Sequence, residues 1–461
     1  MQWLLNFFNW LFGIKKENGM MKIETVDYLV NDPSTGLVIK VAVPTSDKNL
    51  KFGCSGRADP LRTSNVFVTV VKGINNAQRF RAAPIRKWAA CRHLLVVPEA
   101  GRMFNAYYDR RSLKFFWDVV GDKKIFLADS TDVVAHELGH ALLDAMRPDF
   151  WSVQGLEIWA FHEAYSDITS LVSVMEYKQV LQHALDETGG DLRKPNIIAG
   201  VAEHIGYAVY GDKPLRNAIN DFKYVSPNTL PKEAPPDKLA AECHSFGRIF
   251  LGAWYDLLVG IYEQDVQNGK QPLAALSNAR NVAFQLLMDA IPKTPRTVKY
   301  HEAISSIMTR IAEVKYPEYV KIWLDVMEDR NLTTTRISAL SDTTIADVPV
   351  KALEKIGDDT LAVVPKTRVI KLADIKDESE LGSLSTNGYN LANVELEVPA
   401  DVAYVFNDAK SLVDEISPTE EEIVTTAQEC VAMIVAQGNV SDESDTMWEV
   451  RKDKLVRSFI E

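Results

Sequence analysis

The sequence predicts an α+β protein whose strands and helices occupy separate stretches of the chain. Residues 21–128 are rich in strand-like runs, residues 131–330 show the period of amphipathic helices, and residues 349–461 return to strands followed by a helix. We therefore predict a β-rich N-terminal part, a helical part and an added α+β domain. The predicted boundaries are an N-terminal segment at 1–20, lobes at 21–150 and 151–330, a linker at 331–348 and an accessory domain at 349–461.

Individual runs support this division. Strands are predicted at 37–43, 66–72 and 113–117, where β-branched and aromatic residues cluster. The small polar residues of 331–348 interrupt the helical period and indicate a linker. In the last domain, 361–372 and 394–406 favour strands and 418–437 favours a helix. The predicted helices of the middle region are 131–147, 158–184, 244–264, 273–291, 299–313 and 317–329.

Composition excludes several functional classes. The net charge of −12 argues against nucleic acid as a main partner. No apolar run reaches the roughly 18 residues that span a bilayer. The four cysteines form no CxxC pair, which argues against a thiolate zinc site and favours a reducing compartment. We therefore expect a cytoplasmic protein; its oligomeric state stays open.

The N-terminal segment allows several interpretations. Residues 1–16 carry a narrow polar stripe at helical spacing opposite a face of Trp, Leu, Phe and Ile. One interpretation is a helix lying in a membrane surface, and an equal one is a helix packed on this protein or on a partner. A third is that translation starts at Met20 or Met21. The segment lacks the basic start and small-residue cleavage site of a secretory signal.

The stretch VVAHELGHAL at 133–142 carries the pattern His-Glu-x-x-His. Residues four apart share one face of a helix, so His136 and His140 can bind one zinc ion. Glu137 lies on the neighbouring face, where a carboxylate can act as general base towards a metal-bound water. The apolar flanks indicate a buried helix, and buried histidines need partners.

A third zinc ligand is predicted on the next helix, in WAFHEAYSDI. Glu163 can ligate, and Asp167 one turn later can accept the outer N–H of a ligand histidine and fix its tautomer. His162 is adjacent to Glu163 and therefore points elsewhere, as a surface or packing histidine. A catalytic zinc normally has three protein ligands, which this set would supply.

These motifs, DVVAHELGHA followed by HEAYSDI, resemble the thermolysin-like zinc metallopeptidases. FNAYYD, EHIGYAVYGDKPLR and HSFGRIFLGAWYDLL agree with further segments of that family, in the same order along the chain. The resemblance covers residues 100–330 well and 21–100 weakly. It implies a two-lobed zincin with a β-rich N-terminal lobe, a helical C-terminal lobe and zinc in the cleft between them.

The resemblance also implies roles for further residues. Asn105 and Ala106 would bind the substrate backbone from an edge strand, and Arg216 would bond the carbonyl after the scissile bond. His244 would stabilise the oxyanion of the tetrahedral intermediate. The S1′ pocket would be lined by Leu215, Ile205, Gly206, Val209 and Val133.

The chain departs from the family in three respects. Gln154 stands where the family has a tyrosine that helps the histidine stabilise the oxyanion. Asp132 matches one carboxylate of the family's paired calcium site, but Val174 stands where a glutamate is expected, which argues against calcium. Only 135 residues precede His136, about the length of a mature N-terminal lobe, so a signal and propeptide are not expected.

The sequence thus predicts a zinc metalloendopeptidase that acts on peptides or proteins before a bulky hydrophobic P1′ residue. The alternative from another class is a zinc-stabilised module that docks peptides without cleaving them. An aminopeptidase would need an acidic anchor for the substrate amine, and no such motif is visible. We expect residues 349–461 either to cover the cleft or to recruit a protein substrate, and we favour recruitment.

Overall fold

A computed structural model describes most of the chain and shows a mixed α+β fold that is 50% helical and 18% strand. This confirms the predicted α+β class. The described residues are 14–17, 20–23, 26–31, 38–43, 50–54, 59–81, 84–152, 155–211, 213–333, 352–375, 395–437, 446–451 and 454–459.

Strands occur mainly near the two ends of the described chain, and helices fill its middle. In chain order the strands are β1 (Ile14–Glu17), β2 (Met20–Ile23), β3 (Val26–Asn31), β4 (Val38–Val43), β5 (Phe52–Cys54), β6 (Leu94–Val97), β7 (Ala106–Tyr108), β8 (Ser112–Phe115), β9 (Trp117–Val120), β10 (Lys123–Phe126), β11 (Gly200–Val201), β12 (Arg216–Asn217), β13 (Ala352–Ile356), β14 (Asp359–Val364), β15 (Thr367–Lys371), β16 (Glu395–Pro399), β17 (Val402–Phe406), β18 (Leu412–Ile416), β19 (Thr446–Arg451) and β20 (Lys454–Phe459). The helices are α1 (Pro60–Arg79), α2 (Thr131–Met146), α3 (Leu156–Val174), α4 (Lys178–Thr188), α5 (Glu203–Tyr210), α6 (Cys243–Gln267), α7 (Pro272–Ala290), α8 (Tyr300–Lys315), α9 (Val320–Asp329) and α10 (Glu420–Gln437).

The described strands form small sheets. A four-stranded sheet has the order β5-β6-β8-β7, so that β7 lies at one edge, antiparallel to β8. Two further four-stranded sheets, β13-β14-β17-β18 and β15-β16-β20-β19, are built from the C-terminal residues. The remaining pairs are two-stranded, among them β11 with β12.

One predicted strand is wrong, because residues 66–72 lie inside α1. Asp59 caps this helix by accepting the backbone N–H groups of Leu61 and Arg62, and Pro60 occupies the first turn. The β-branched residues favoured a strand locally, but the cap and helical burial override that preference. Among its buried side chains, Val66, Val70, Ile74 and Ala77 recur every three or four residues along one face.

The predicted helix at 158–184 is two helices, α3 and α4. A side chain of another helix binds the turn between them. Arg280, on α7, donates from Nη1 to the carbonyl of Met175 at 2.6 Å and pairs with Glu176 at 3.0 Å. The carbonyl of Met175, directly after the end of α3, is thereby satisfied from outside the helix, and α4 begins three residues later at Lys178.

The predicted N-terminal helix at 1–16 lies outside the described residues up to residue 13. Ile14–Glu17 form β1, which pairs antiparallel with β2, so the helix is wrong for residues 14–16. Among the helices that the structure describes, none combines the length and apolar character required to cross a membrane. The predicted linker is outside the described part of the chain from residue 334 onward.

The chain divides into two compact units, each drawn from several stretches of the sequence. The first unit draws on Met1–Met146, Ala164–Asn220 and Trp254–Met288, and the second on Arg147–Glu163, Asp221–Ala253 and Asp289–Glu461. Helices α3 and α6 each run without interruption from the second unit into the first. The division after Glu163 and the division after Ala253 therefore fall inside these helices, whereas the division after Asn220 falls outside any helix.

Each unit has its own buried core. In the first, α1 and α2 bury apolar side chains that include Val70, Ile74, Val134 and Leu138. In the second, Phe161 packs on Phe250 and Tyr300, with ring centroids 5.3 and 4.7 Å away. A further apolar cluster of the second unit joins the loop before α8 to the C-terminal strands and α10 through Val298, Leu372, Leu396, Val398, Ala400, Ile423, Ala427 and Val431.

Candidate metal centre

Helix α2 brings the two histidines of the His-Glu-x-x-His motif together, as its period requires. The Nε2 atoms of His136 and His140 lie 3.2 Å apart, and the two rings are nearly perpendicular at 87°. His136 is buried and His140 is partly buried. Both histidines therefore direct their Nε2 atoms to one point beside the helix.

Helix α3 packs tightly and antiparallel against α2. A side chain at Gly139 would place its Cβ 2.6 Å from the Cα of Ser166, so only glycine allows this approach. Seven residues earlier on α2, the carbonyl of Asp132 accepts a hydrogen bond from the Ser170 hydroxyl at 2.6 Å. These two contacts fix the register of α3 beside the two histidines.

Glu163 lies on α3 one turn before Asp167 and joins the histidines. One ligand atom from each of His136, His140 and Glu163 lies within 4.8 Å of the others, close enough for the three residues to hold one metal ion. Glu163 lies inside the continuous helix α3, and that helix determines the position of its carboxylate. The structure brings together the three ligands that the sequence predicts.

The donor set fits a zinc ion. Zinc–nitrogen bonds of about 2.1 Å in a tetrahedron place two ligand nitrogens roughly 3.4 Å apart, close to the separation of the two Nε2 atoms. Two imidazoles and one carboxylate are a common ligand set of catalytic zinc sites. These distances and donor types are compatible with a small tetrahedral cation.

Asp167 holds the outer side of His136, as predicted. Its Oδ1 lies 2.8 Å from Nδ1 of His136. Arg216 pairs with the same carboxylate through two hydrogen bonds, from Nε at 2.7 Å and from Nη2 at 2.6 Å. Burial by itself would raise the pKa of Asp167, but the Arg216 guanidinium and the His136 ring outweigh it and lower that pKa to about 2. Asp167 is therefore an anion that fixes the Nδ1–H tautomer of His136.

The position of Arg216 adds a role that the sequence did not predict. Pairing of Val201 with Arg216, between β11 and β12, places this residue beside α3. Its Nη2 lies 3.4 Å from Nδ1 of His136, in addition to its bonds to Asp167. Arg216 thus supports His136, a predicted metal ligand, through the Asp167 carboxylate that both residues contact, whereas its predicted bond to a substrate carbonyl stays a prediction.

Glu137 and His162 both lie next to metal ligands in the sequence, with different surroundings. Glu137 is 7% exposed and follows His136 on α2. His162 is 6% exposed and packs with its ring 6.3 Å from Phe150 and 5.8 Å from Trp151. This location agrees with the interpretation of His162 as a packing histidine.

His244 is the second residue of α6 and contacts the ligand Glu163. Its Nε2 lies 3.5 Å from Oε2 of Glu163, and its Nδ1 lies 2.5 Å from Oε1 of Glu242. The Glu163 carboxylate raises the pKa of His244 well above its ordinary value, with smaller contributions from Cys243 and Glu242. The ring is 52% exposed, so a bound molecule can reach it.

The predicted substrate-binding residues are in two places. Ala106 begins β7, the edge strand of its sheet, and Asn105 precedes it. An edge strand can pair with an extended peptide. Among the predicted S1′ residues, Gly206 and Leu215 lie close together. A Cβ atom at Gly206 would lie 2.1 Å from the backbone nitrogen of Leu215, so this approach requires glycine.

The other predicted S1′ residues differ in exposure. Ile205 is partly buried, Val133 is buried at 3% exposure, and Val209 is 54% exposed. Val209 thus faces solvent rather than lining an enclosed pocket. Two further positions concern the chain's departures from the family. Gln154 lies outside the described residues. Asp132 is buried near the start of α2, where its Oδ1 accepts the N–H of Val133 at 2.8 Å.

Sequence reasoning missed three residues near the centre. Asp144, fully buried on α2, binds the Tyr108 hydroxyl at 2.9 Å and the Arg110 guanidinium at 3.0 Å, which ties the end of β7 to α2. Glu242 caps α6 by accepting the backbone N–H groups of His244 and Ser245. Cys243 places its Sγ 3.6 Å from Nδ1 of His244. An acidic residue just before a predicted helix start was the available signal for Glu242.

The arrangement provides a metal ligand set, a buried carboxylate beside it and a half-exposed histidine next to one ligand. Together these groups can position a water molecule and exchange protons with it. No protein-family model matches this chain, and a search of the curated proteins also finds no match.

Proposed function

We propose that this chain is a zinc metalloendopeptidase similar to the thermolysin-like family, with a two-lobed zincin arrangement. The observation that carries the proposal is the convergence of His136, His140 and Glu163 on one point beside the buried Glu137. Each of these four residues occupies the position that the family's motifs assign to it.

In this proposal His136, His140 and Glu163 hold the zinc ion, and Asp167 with Arg216 keeps His136 in the required tautomer. A bound zinc ion would supply Lewis acidity, polarising the scissile carbonyl and lowering the pKa of a water molecule towards 7. The remaining chemistry belongs to side chains of the chain itself.

Glu137 is the general base of the proposed reaction. It accepts a proton from the attacking water and passes it to the nitrogen of the leaving amine. Its burial favours this role, because the exclusion of bulk water limits loss of the transferred proton to solvent. An amide at the same position cannot carry the proton.

His244 is the proposed donor to the oxyanion of the tetrahedral intermediate. Glu242 fixes its ring through Nδ1, and Nε2 is directed towards Glu163. A preorganised donor stabilises the charge that develops in the transition state. In the family a tyrosine helps the histidine to stabilise the oxyanion, and here His244 would supply that hydrogen bond.

The edge strand β7 and the segment around Arg216 are proposed to hold the peptide. Ala106 can offer its backbone to an extended chain, and Asp144 anchors the following residues through Arg110. The apolar side chains of Leu215 and Ile205 favour a bulky hydrophobic residue after the cleaved bond. Correct orientation contributes to rate because it replaces a bimolecular encounter.

The test compares Glu137→Gln with the wild type on a peptide library, with bound zinc measured in both. We expect the variant to retain zinc and fold while losing turnover. Glu263→Gln, at an exposed ion pair with Arg193, is the matched control and should cleave normally. Cleavage by Glu137→Gln near the wild-type rate would refute the general base. Zinc without cleavage in the wild type would instead support the alternative, a peptide-docking module.

A further inference from the structure

A second group of three metal-binding side chains lies at the start of α6. The Glu163 carboxylate, the Cys243 thiol and the His244 imidazole each offer one ligand atom, and these atoms all lie within 4.8 Å of one another. The donors are an oxygen, a sulfur and a nitrogen. Cys243 has no role in the proposed reaction, which leaves this group unexplained by it.

The side chains of Cys243 and His244 are drawn together by a neighbouring carboxylate. Successive residues of a helix point about 100° apart, yet Sγ of Cys243 lies 3.6 Å from Nδ1 of His244. Oε1 of Glu242 lies 3.2 Å from that Sγ and 2.5 Å from that Nδ1. Glu242 thus holds the thiol and the imidazole ring side by side and adds an oxygen that can also approach a cation.

Access and charge favour a cation at this position. His244 is 52% exposed, so an ion can arrive from solvent. Glu163 and Glu242 place two carboxylates next to the thiol, and their negative charge attracts a divalent ion. A thiolate ligand selects thiophilic metals over Mg²⁺ or Ca²⁺.

We propose that Glu163, Cys243 and His244 form a second metal site for a thiophilic divalent cation such as Cd²⁺, Co²⁺ or excess Zn²⁺. On binding, the thiol proton leaves to solvent and a sulfur–metal bond forms. The inference rests on the proposed function, because Glu163 is shared with the first centre. Occupation of the second site engages Glu163 and His244 together and therefore inhibits peptide hydrolysis.

The test is a stepwise Co²⁺ titration of the full-length chain after removal of bound metal by a chelator. Cobalt bound by imidazole and carboxylate alone shows only visible d–d absorption, whereas a thiolate ligand adds near-ultraviolet charge-transfer absorption. We expect d–d absorption with the first equivalent and charge-transfer absorption with the second. Cys243→Ser should lose only the charge-transfer absorption, and the matched control Cys91→Ser should keep both.

The outcomes separate the two proposals. A wild-type chain without d–d absorption at the first equivalent, or with the same absorption in His140→Ala, contradicts the proposed centre. Normal d–d absorption with no charge transfer at excess Co²⁺ contradicts the second site alone. Charge transfer that persists in Cys243→Ser, or that saturates at the first equivalent, also overturns it, because the thiolate is then another cysteine or a ligand of the first centre.

A second measurement uses inhibition of peptide hydrolysis by Cd²⁺. Loss of outer partners of a metal site costs about 10–100-fold in affinity, and loss of a direct thiolate ligand should cost at least as much. The inhibiting Cd²⁺ concentration should therefore rise at least about tenfold in Cys243→Ser relative to Cys91→Ser. Equal inhibition of the two variants would overturn the site.

Discussion

Asp167 receives two kinds of partner on one carboxylate: Nδ1 of His136 at 2.8 Å and the forked guanidinium of Arg216 at 2.6 and 2.7 Å. The ring proton of His136 is therefore held on the side away from His140. Nε2 of His136 therefore carries no proton and presents the lone pair with which a histidine binds a metal, 3.2 Å from Nε2 of His140. The metal-binding form of His136 is thus fixed before any ion arrives.

Replacing Asp167 by asparagine should weaken metal binding without removing a ligand. The amide keeps the shape but loses the charge that Arg216 and His136 share, so affinity should fall by about 10–100-fold. Competition with a chromogenic chelator measures this change. Asp186→Asn, at an exposed position on α4 that accepts from Gln182, is the control. Unchanged metal affinity in Asp167→Asn would show that the carboxylate does not tune His136.

Replacing His244 by alanine should affect turnover more than substrate binding. If His244 donates to the oxyanion, its loss lowers kcat by about 10² with little change in KM, because the interaction forms in the transition state. Steady-state kinetics on a single peptide gives both constants. His183→Ala, a half-exposed histidine on α4, should leave both unchanged. An effect confined to KM would make His244 a substrate-binding residue instead.

The spacing of the predicted ligands within each helix is local and was predictable from the sequence, whereas the approach of Glu163 to the two histidines joins two helices. Helical spacing places His136 beside His140, and it places Asp167 one turn after Glu163. The roles of Glu242, Cys243 and Asp144 depend on which elements come to lie next to each other, which spacing along the chain does not determine. Arg216 shows both cases, because its importance was predicted but its bond to Asp167 was not.

The elements of the fold were likewise predictable where the signal in the sequence is local. Helices with long uniform periods, such as α6 and α7, agree with their predicted bounds to within one to three residues. Residues 66–72 were assigned to a strand because β-branched residues dominate them, while the Asp59 cap that fixes a helix lies outside that run. The turn between α3 and α4 is bonded by Arg280, about a hundred residues later in the chain, and that contact is not visible in the local pattern. Such effects belong to tertiary structure, which overrides local preference.

Stability should fall in mild acid because of His301, a residue of the second unit. Burial lowers the pKa of His301 to about 3, from its ordinary value near 6.5. The ring stacks on Phe250 at 5.7 Å, and Nδ1 lies 3.5 Å from Oε2 of Glu157. Below about pH 6.5 the unfolded chain takes up a proton that the folded chain refuses, so folding loses about 1.4 kcal/mol per pH unit until the folded pKa is reached.

The His301→Phe variant tests this assignment. Denaturant unfolding at several pH values should show that the variant loses less stability than the wild type between pH 6.5 and 4, because phenylalanine binds no proton. His183→Phe, at a half-exposed histidine, should follow the wild-type pH dependence. Parallel curves for His301→Phe and the wild type would mean that other groups cause the acid sensitivity.

The C-terminal residues are joined to α8 and the loop before it by contacts within the second unit. Arg310 of α8 lies 3.2 Å from Asp359 and 2.5 Å from Asp414. Lys299 pairs with Glu422 of α10 at 2.5 Å. Val298 is 5% exposed in an apolar cluster whose other members come from residues 372–431. These contacts give residues 352–437 a structural role that the sequence alone did not reveal.

Truncation near residue 335 should therefore destabilise the protein rather than leave an intact enzyme. It removes the cover of Val298 and the partners of Arg310 and Lys299, so we expect a lower unfolding temperature and peptide hydrolysis that falls with the folded fraction. Substrate recruitment predicts instead unchanged cleavage of short peptides, and a covering role predicts faster cleavage. Thermal unfolding and single-peptide kinetics on the same samples separate these outcomes.

A point substitution keeps the question answerable if the truncated chain is insoluble. Asp414→Asn in the full chain leaves the Arg310 guanidinium, 13% exposed, without one of its two carboxylates. Breaking a buried ion pair from one side costs about 3–5 kcal/mol, and the remaining Asp359 should reduce that loss. The variant should unfold more easily while each folded molecule hydrolyses peptides at the wild-type rate. Lys321→Gln, at an exposed pair with Asp325 on α9, should change neither property. Wild-type stability of Asp414→Asn would contradict the structural role assigned to this contact between α8 and the C-terminal strands.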